Sequence, residues 1–364
     1  MRKEGLSESA VKAFKSNYDQ LMSGKTGEFP EAEISPVASL PTLESLRGPR
    51  DEARVRDLLS QTAMLKLNGG LGTSMGLEKA KSLLVVKDGK TFLDIIAEQV
   101  KHQRKSFGAN VRFVLMNSFS TSDDTFAHLR RTHPDLAREK DLELMQNKVS
   151  GRRAGRARRA GGGRGVGATP APDPGARPWR PTLAPDLAPP GTPAQVPKVD
   201  AETKDPAQYP ENRGMEWCPP GHGDIYASLL GSGMLDRLLQ AGIKYLFVSN
   251  SDNLGASLDL DLLRYVAESG KAFVMECARR TEADKKGGHL CVRKSDGRLM
   301  LRESAMCPAD DASSFQDVDR HKFFNTNNLW VNLEVSGRAG PGGQGGPGGA
   351  GAPRGPGGAR GGPG

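Results

Sequence analysis

The sequence is poor in cysteine and has no apolar run long enough to cross a membrane. Its four cysteines, Cys218, Cys277, Cys291 and Cys307, form no C-x-x-C pair and no set with histidine at metal-ligand spacing. This pattern argues against a zinc site or a disulfide framework and favours a reducing compartment. No stretch approaches the roughly 18 apolar residues of a membrane span, and Met1–Glu4 is not followed by the apolar core of a signal peptide. We therefore expect a cytoplasmic protein with no membrane partner.

Acidic residues are scarce in two parts of the chain, and this scarcity produces its positive charge. Residues 149–195 contain eight arginines against Asp173 and Asp186, and residues 335–364 contain three arginines and no acidic residue. The two segments contribute nine net positive charges to a chain whose net charge is +8, so the remainder is close to neutral at −1. We therefore expect no nucleic-acid partner for the folded core.

The same two segments have low sequence complexity. Residues 149–195 are rich in arginine, glycine and alanine and then in proline, and residues 335–364 consist mainly of glycine with proline and arginine. Neither has enough apolar residues to offset the loss of chain entropy on folding. We predict that both are disordered.

The two segments begin with the same tetrapeptide, Val149–Arg152 and Val335–Arg338. Val-Ser can be encoded by GTGAGC, which reads as a splice donor, and Gln195 by CAG, which reads as an acceptor. We hypothesise that both segments are translated introns. The alternative is a genuine arginine/glycine arm that binds RNA, although Trp179 is its only aromatic residue.

The rest of the chain has the pattern of an α/β fold. Ala63–Leu67, Val111–Met116 and Lys244–Val248 read as buried strands, with a helix predicted over Thr91–Arg104. Strands that alternate with helices, followed by several strands together, predict a mixed, mainly parallel sheet. The later strands are predicted at Phe273–Ala278, His289–Val292, Leu299–Arg302 and within Phe323–Leu333.

We divide the chain accordingly. Residues 1–60 form an N-terminal helical and extended segment, and residues 61–148 and 196–334 form one interrupted catalytic domain. Residues 149–195 are the insertion and residues 335–364 the tail.

A glycine-rich loop follows the first predicted strand. The stretch Lys66–Gly76 reads KLNGGLGTSMG, and Lys79 and Lys81 come soon after it. Glycine lets backbone N–H groups approach a phosphate closely, and lysine supplies the charge that a polyphosphate requires. The loop is not a Walker loop, because it has no Gly-Lys-Ser/Thr preceded by a glycine at the required spacing. It is not a dinucleotide fingerprint either, because Met75 stands where the third glycine should fall. It predicts a nucleotide-phosphate loop of another kind, with a glycine-rich turn that binds nothing as the alternative.

Three further loops carry polar groups. His222 lies in the stretch 219–224, which combines two prolines and two glycines, and Asp252 lies at a strand end among amides and hydroxyls. A carboxylate at that place suits Mg²⁺ but also suits a helix N-cap. Asn325, Asn327 and Asn328 could donate to sugar hydroxyls or form a turn.

Taken in order along the chain, these motifs resemble the UTP–glucose-1-phosphate uridylyltransferases, also called UDP-glucose pyrophosphorylases. Outside the two low-complexity segments the resemblance covers nearly the whole chain. It rests on Lys66–Ser82, Phe92–Asp94, Leu115–Phe119, Gln146–Lys148, Glu216–Tyr226, Ser249–Ala256, Lys286–Leu290, Leu301–Ser304 and Phe323–Leu333.

The resemblance implies a GT-A-like nucleotidyltransferase core, which in that family is usually followed by a C-terminal left-handed β-helix that is absent from this sequence. It implies reversible transfer of uridylyl from UTP to glucose 1-phosphate, giving UDP-glucose and pyrophosphate. The alternatives are another sugar 1-phosphate, or a noncatalytic fragment with a basic RNA-binding arm. Whether this interrupted chain is active, and whether it forms a homo-oligomer, stays open at this point.

The resemblance also implies roles for single residues. Lys81, His222 and Asp252 are the expected catalytic residues: Lys81 contacts the UTP phosphates, with Lys79 as the alternative, His222 contacts glucose 1-phosphate, and Asp252 binds Mg²⁺. The uridine base is expected at Leu67, Asn68, Gly69, Gly70, Gln146 and Gly221, with Met116 close by. The sugar pocket is expected at Asn250, Gly288, Glu303, Asn325 and Asn327.

Overall fold

The computed structural model describes residues 1, 8–24, 27–70, 79–146, 196–211, 216–218 and 221–338. The predicted insertion therefore lies outside the described residues, as do residues 71–78 of the glycine-rich loop and residues 339–364 of the predicted tail. In the part of the chain that is described, no helix has both the length and the apolar character that a membrane crossing requires.

Helices and strands are interspersed along the described parts of the chain, with several strands in succession after α9. The strands are β1 (Ile34–Pro36), β2 (Thr62–Asn68), β3 (Val85–Lys87), β4 (Lys90–Thr91), β5 (Arg112–Asn117), β6 (Glu143–Met145), β7 (Val196–Pro197), β8 (Trp217–Cys218), β9 (Tyr245–Asn250), β10 (Phe273–Arg279), β11 (His289–Arg293), β12 (Leu299–Arg302) and β13 (Phe323–Asn332). The helices are α1 (Glu8–Met22), α2 (Leu43–Leu46), α3 (Glu52–Ser60), α4 (Phe92–Phe107), α5 (Phe119–Thr132), α6 (Pro134–Ala137), α7 (Asp224–Gly231), α8 (Met234–Gln240), α9 (Leu260–Ser269), α10 (Ala312–Gln316) and α11 (Leu333–Arg338).

A nine-stranded sheet organises the fold. Its strand order is β1-β11-β13-β9-β2-β5-β6, with β10 beside β13 and β12 beside β11. Strands β9, β2, β5 and β6 run parallel to one another. Strand β13 joins them antiparallel at β9, and the strands beyond it continue antiparallel. The predicted α/β fold with a mixed sheet is confirmed.

The parallel strands are apolar because helices cover both of their faces. Met64, Phe113 and Phe247 point to one face, where they pack with residues of α3, α4, α5 and α9. Leu65 and Val114 point to the other face, where they pack with residues of α7 and α8. Every side chain of β2 is buried.

Two parts of the chain differ from the sequence-based expectation. No sheet strand was predicted in residues 1–60, but β1 lies there and pairs with β11 at the edge of the sheet, and α2 follows it. Residues 335–338, the start of the predicted disordered tail, belong to α11. This helix begins where the Asn332 side chain accepts hydrogen bonds from the backbone N–H groups of Glu334 and Val335, at 3.1 and 3.3 Å.

Strand β11 brings a buried histidine against a second one. The side chain of His289 is fully buried, and its ring stacks on His321 with 3.8 Å between the ring centroids. Burial lowers the pKa of His289 to about 3, and the neighbouring His321 adds to this effect. His289 is therefore neutral in the folded protein at neutral pH.

This burial predicts a loss of stability in mild acid. Between the unfolded pKa of about 6.5 and the lowered folded pKa, the unfolded chain binds a proton that the folded chain does not, so stability falls as pH falls. Lowering the pH from 7 to 5.5 should cost about 1 kcal/mol through His289 alone. Urea unfolding of His289→Asn should show a smaller loss over this range than the unmodified chain. The exposed His102 provides the control, because His102→Asn should leave the pH dependence unchanged; an unchanged dependence in His289→Asn would contradict the assignment.

Candidate active site

Three parallel strands end side by side in asparagine. In the register of the sheet, Asn68 at the end of β2 lies opposite Asn117 at the end of β5, and Leu67 lies opposite Asn250 at the end of β9. The loops that follow these strands therefore open at one edge of the sheet. In parallel sheets this carboxyl edge is where ligands bind.

The Asn68 side chain points into the fold at this edge. It follows Met64 and Lys66 on the face of β2 that packs against α4 and α5, where its Nδ2 donates to Asn117 Oδ1 at 2.8 Å and to Thr125 Oγ1 at 2.9 Å. Both donor hydrogens of the amide are therefore used inside the protein. The Asn68 side chain therefore contacts α5 and β5, and its expected contact with the base stays a prediction for its backbone.

Leu67 and Met116 were also expected near the base, and both lie under the loops. They are buried on the same face of the sheet, with Val248, and they belong to one apolar cluster. Asn250 follows on that face by the period-two alternation of β9. Leu67, Met116 and Val248 thus form an apolar surface near the carboxyl ends of β2, β5 and β9.

Gly69, Gln146 and Gly221 contact one another near this edge of the sheet. A Cβ atom at Gly69 would lie 2.9 Å from Gln146 Oε1, so the Gln146 side chain packs directly on the glycine backbone. Gln146 Nε2 donates to the carbonyl of Gly221 at 3.3 Å, and the backbone of Gly221 has φ +81°, which favours glycine. Three residues from distant parts of the sequence therefore meet in one polar group. A Cβ at Gly70 would meet nothing within 4 Å.

Lys81 and Asp252 face each other across the carboxyl edge. Lys81 Nζ lies 3.8 Å from Asp252 Oδ2, and both side chains are about two-fifths exposed at 37% and 41%. The Lys81 backbone N–H donates to the carbonyl of Gly70 at 3.3 Å, which returns the chain to the start of the glycine loop. Lys79 is exposed. This geometry favours Lys81 over Lys79 as the cation beside the carboxylate.

His222 is oriented by Asn327. The Asn327 side chain donates through Nδ2 to His222 Nδ1 at 2.9 Å and to Asn250 Oδ1 at 2.8 Å. Burial lowers the pKa of His222, and this outweighs the opposing attraction of Asp252. A neutral ring that accepts at Nδ1 carries its proton at Nε2. His222 can therefore offer an N–H donor to an anion.

Asn327 itself has a left-handed backbone, at φ 59° within β13. Asparagine tolerates this conformation better than other side chains. The Asn327 backbone N–H donates to Asn325 Oδ1 at 2.8 Å, and the Asn325 N–H donates to the Gly288 carbonyl at 3.4 Å. A Cβ at Gly288 would overlap the carboxylate of Glu303, so that carboxylate packs on the Gly288 backbone. The predicted sugar residues thus form one continuous row.

Asp252 could hold a divalent cation. Within the described residues, no group of three histidine, cysteine, aspartate or glutamate side chains is placed to bind a metal. One exposed carboxylate nevertheless fits Mg²⁺, which is often held by one or two carboxylates together with water and substrate phosphates. The donor set therefore suits an ion that arrives with a polyphosphate.

Lys66 supports the loop that carries Asp252, and the sequence analysis assigned it no role of its own. Its side chain is fully buried in β2, and Nζ donates to the carbonyl of Ala256 at 2.8 Å, four residues after Asp252. Burial lowers its pKa to about 8, against the opposing charge of Glu276. A lysine in the middle of an apolar strand was the available signal, because such a charge needs a buried partner.

Known proteins resemble the chain in sequence. The sequence profile of the family described as UTP–glucose-1-phosphate uridylyltransferase matches residues 11–149 and 193–339. The chain belongs to this family. The gap in the match, residues 150–192, falls inside the predicted insertion. The family is one of nucleotidyltransferases.

The sequence matches to curated relatives include most of this chain but only about half of each relative. A probable UTP–glucose-1-phosphate uridylyltransferase from Schizosaccharomyces pombe is 36% identical over 279 residues, which is 76% of this chain and 45% of the relative. The enzyme of that name from Solanum tuberosum is 35% identical over 286 residues, covering 78% and 49%. The chain thus spans about half the length of the curated relatives it matches.

Solved structures share the fold. A UDP-glucose phosphorylase from Trypanosoma brucei matches with a TM-score of 0.74 and 42% identity, over 93% of this chain and 62% of the other. A variant of the UDP-glucose pyrophosphorylase from Leishmania major, crystallised with UDP-glucose, matches with a TM-score of 0.73 and 41% identity, over 92% and 62%.

The contact between Asn327 and His222 predicts a measurable shift. Asn327→Gly keeps the left-handed backbone possible but removes the amide that donates to Nδ1 of the neutral ring. The pKa of His222 should therefore rise, because a hydrogen bond that favours the neutral form is lost. NMR titration of the histidine signals measures this, with the exposed His102 as the internal control. A His222 pKa that stays the same or falls would contradict the assigned hydrogen bond.

Proposed function

We propose that this chain catalyses the reversible transfer of uridylyl from UTP to glucose 1-phosphate, giving UDP-glucose and pyrophosphate. The observation that carries the proposal is the order of groups along the carboxyl edge. The strand order is β13-β9-β2-β5-β6. Gly69 and Gln146 follow β2 and β6 and meet Gly221, Asp252 follows β9 and pairs with Lys81, and Asn327 in β13 connects His222 to Asn250. Base, phosphates and sugar would occupy these positions in turn.

The base would bind against glycine backbone. A flat uracil ring requires close approach of the main chain, and Gly69 and Gly70 present no Cβ to obstruct it. Gln146 supplies an amide whose oxygen and nitrogen can pair with the polar edge of uracil. Leu67 and Met116 provide the apolar surface beneath.

The phosphates would bind between Lys81 and His222. In the reaction, a phosphate oxygen of glucose 1-phosphate attacks the α-phosphorus of UTP in line, the bond to the β-phosphate oxygen breaks, and pyrophosphate leaves. The attacking oxygen is already anionic, so no side chain needs to remove a proton. The requirement is instead to hold two anions together, which the Lys81 ammonium and the His222 Nε2–H can do.

A divalent ion, which we propose is Mg²⁺, would be held by Asp252. When bound, such an ion neutralises charge on phosphate oxygens and orients the leaving group. Lys81 Nζ is 3.8 Å from the same carboxylate, a distance that leaves the ammonium available to phosphate oxygens. Asp252 would thus keep both positive charges beside the reacting phosphorus.

The sugar hydroxyls would meet Asn250, Asn325, Asn327, Gly288 and Glu303. These residues supply amide donors, carbonyl acceptors and one carboxylate, and groups of these kinds form hydrogen bonds with sugar hydroxyls. The Leishmania major protein crystallised with UDP-glucose supports glucose as the sugar. A related uridylyltransferase would differ in this row, which makes the choice of sugar a separate measurement.

The proposal predicts pyrophosphate release with a strict requirement. The full chain should release pyrophosphate only when UTP, glucose 1-phosphate and Mg²⁺ are present together, and Asp252→Asn should lose most of this activity. Galactose 1-phosphate should support slower release. Faster release with another sugar 1-phosphate would indicate that this sugar 1-phosphate, and not glucose 1-phosphate, is the substrate.

A version without residues 149–195 should be compared with the full chain in the same assay. It restores the direct connection of Gln146, Asn147 and Lys148 to Val196, and we expect it to be at least as active as the full chain. No pyrophosphate from either version would contradict the proposed activity of this chain. Salt-dependent RNA binding that disappears with the deletion would favour the noncatalytic alternative.

A second prediction concerns Lys81. Lys81→Ala removes one preorganised cation from the phosphates, which typically lowers turnover by about 10²–10³-fold, or roughly 2.7–4 kcal/mol. The exposed Lys79 offers a matched control, and Lys79→Ala should keep most of the activity. Equal losses in the two variants, or full activity in Lys81→Ala, would contradict the assignment.

A further inference from the structure

A buried charged cluster lies behind the candidate sugar pocket. Arg302, at the end of β12, is fully buried, and the next residue in the chain is Glu303. Arg302 Nη1 donates to Glu31 Oε2 at 2.7 Å, and Nη2 donates to Asp311 Oδ2 at 3.1 Å. Glu31 lies 271 residues away from Arg302 in the sequence, in the N-terminal segment that the sequence analysis separated from the catalytic domain.

We propose that Glu31 is a positioning residue for the sugar pocket, acting through Arg302 on the carboxylate of Glu303. This inference rests on the proposed function for the role of Glu303. The charged contacts of Glu31 themselves do not depend on that function.

Glu31 is the centre of the cluster. Its carboxylate also accepts from Arg320 Nε at 2.7 Å and lies 2.9 Å from His321 Nε2. Burial acts to raise the pKa of Glu31, but the hydrogen bonds from Arg320 and His321 outweigh it and lower the pKa. Because burial lowers the pKa of His321, this histidine is neutral at neutral pH. Glu31 is therefore an anion that faces two arginines.

The N-terminal segment holds the turn of Glu303 from two sides. The Glu31 carboxylate fixes Arg302 just before the turn, and the Phe29 N–H donates to the carbonyl of Met306 at its end, at 2.8 Å. The Glu31 backbone N–H donates to Asp311 Oδ2 at 2.6 Å, the same oxygen that Arg302 contacts. Hydrogen bonds thus connect residues 302–306 to Phe29 and Glu31 of the N-terminal segment.

The position of this turn matters for the pocket because of Gly288. Arg302 lies opposite His289 in the register of β12 and β11, so Glu303 comes to lie beside Gly288. The Glu303 carboxylate packs directly on the Gly288 backbone, where any Cβ would overlap it. A displacement of Arg302 would therefore move the Glu303 carboxylate relative to its neighbours in the sugar row.

Loss of the Glu31 charge would cause such a displacement. A buried guanidinium that loses one of its two carboxylates is strongly unfavourable and will move towards water or another acceptor. Glu31→Gln keeps the size of the side chain and removes only the charge. The matched control is Glu33→Gln, because Glu33 lies in the same segment and is exposed.

The first measurement is kinetic. We expect Glu31→Gln to raise the KM for glucose 1-phosphate about tenfold while the KM for UTP stays within twofold, because the base site lies at the other end of the row. Asp311→Asn, which removes the other carboxylate of Arg302, should produce the same split. An equal rise of both KM values would overturn the proposal, as would an unchanged KM for glucose 1-phosphate. A mere loss of folded protein would lower the maximal rate and leave both KM values unchanged.

The second measurement does not depend on activity. Hydrogen exchange of peptides that cover residues 299–307 should be faster in Glu31→Gln than in the unmodified chain and in Glu33→Gln, whereas exchange in β5 should be unchanged. Equal exchange in residues 299–307 would overturn the proposal. If the unmodified chain released no pyrophosphate, the proposed function would fail, and exchange alone would decide whether Glu31 holds the turn of Glu303.

Discussion

The parallel pairing of β2 with β5 on one side and β9 on the other determines where the candidate site lies. Each of these strands is buried on both faces, so its polar groups can reach solvent only at the strand end. The register brings Asn68, Asn117 and Asn250 to one edge. A slip of one residue in β2 would turn Leu67 to the face covered by α4 and α5 and Asn68 to the face covered by α7 and α8.

The buried polar groups at this edge explain how an apolar sheet can end in polar loops. The Asn68 amide is satisfied by Asn117 and Thr125, and the Asn117 amide donates to Glu143 at 2.8 Å. Lys66 performs a similar function below the Asp252 loop. Each of these groups would be costly to bury without a partner, so the network allows one arrangement of the loops and disfavours others.

The positions of the loops could be predicted because they are local sequence patterns, whereas the roles of single residues came from the family resemblance and stay predictions. Glycine-rich and asparagine-rich loops after apolar strands have a known physical use, and parallel strands must bring their carboxyl ends together. What the sequence could not provide was the direction of single side chains. The Asn68 side chain, for example, points inward through the alternation along β2, where it bonds Asn117 and Thr125. Glu31 gave no local signal, because its partners Arg302 and His321 lie near the other end of the chain, and only the folded sheet connects them.

The central claim is that this edge accommodates uridine diphosphate and glucose in one defined order. The most direct measurement is a crystal structure of the chain with UDP-glucose. We expect the uracil to lie against Gly69 and Gln146 and the glucose to lie between Asn327 and Glu303. UDP-glucose bound elsewhere, or bound in the reverse direction along this edge, would contradict the account.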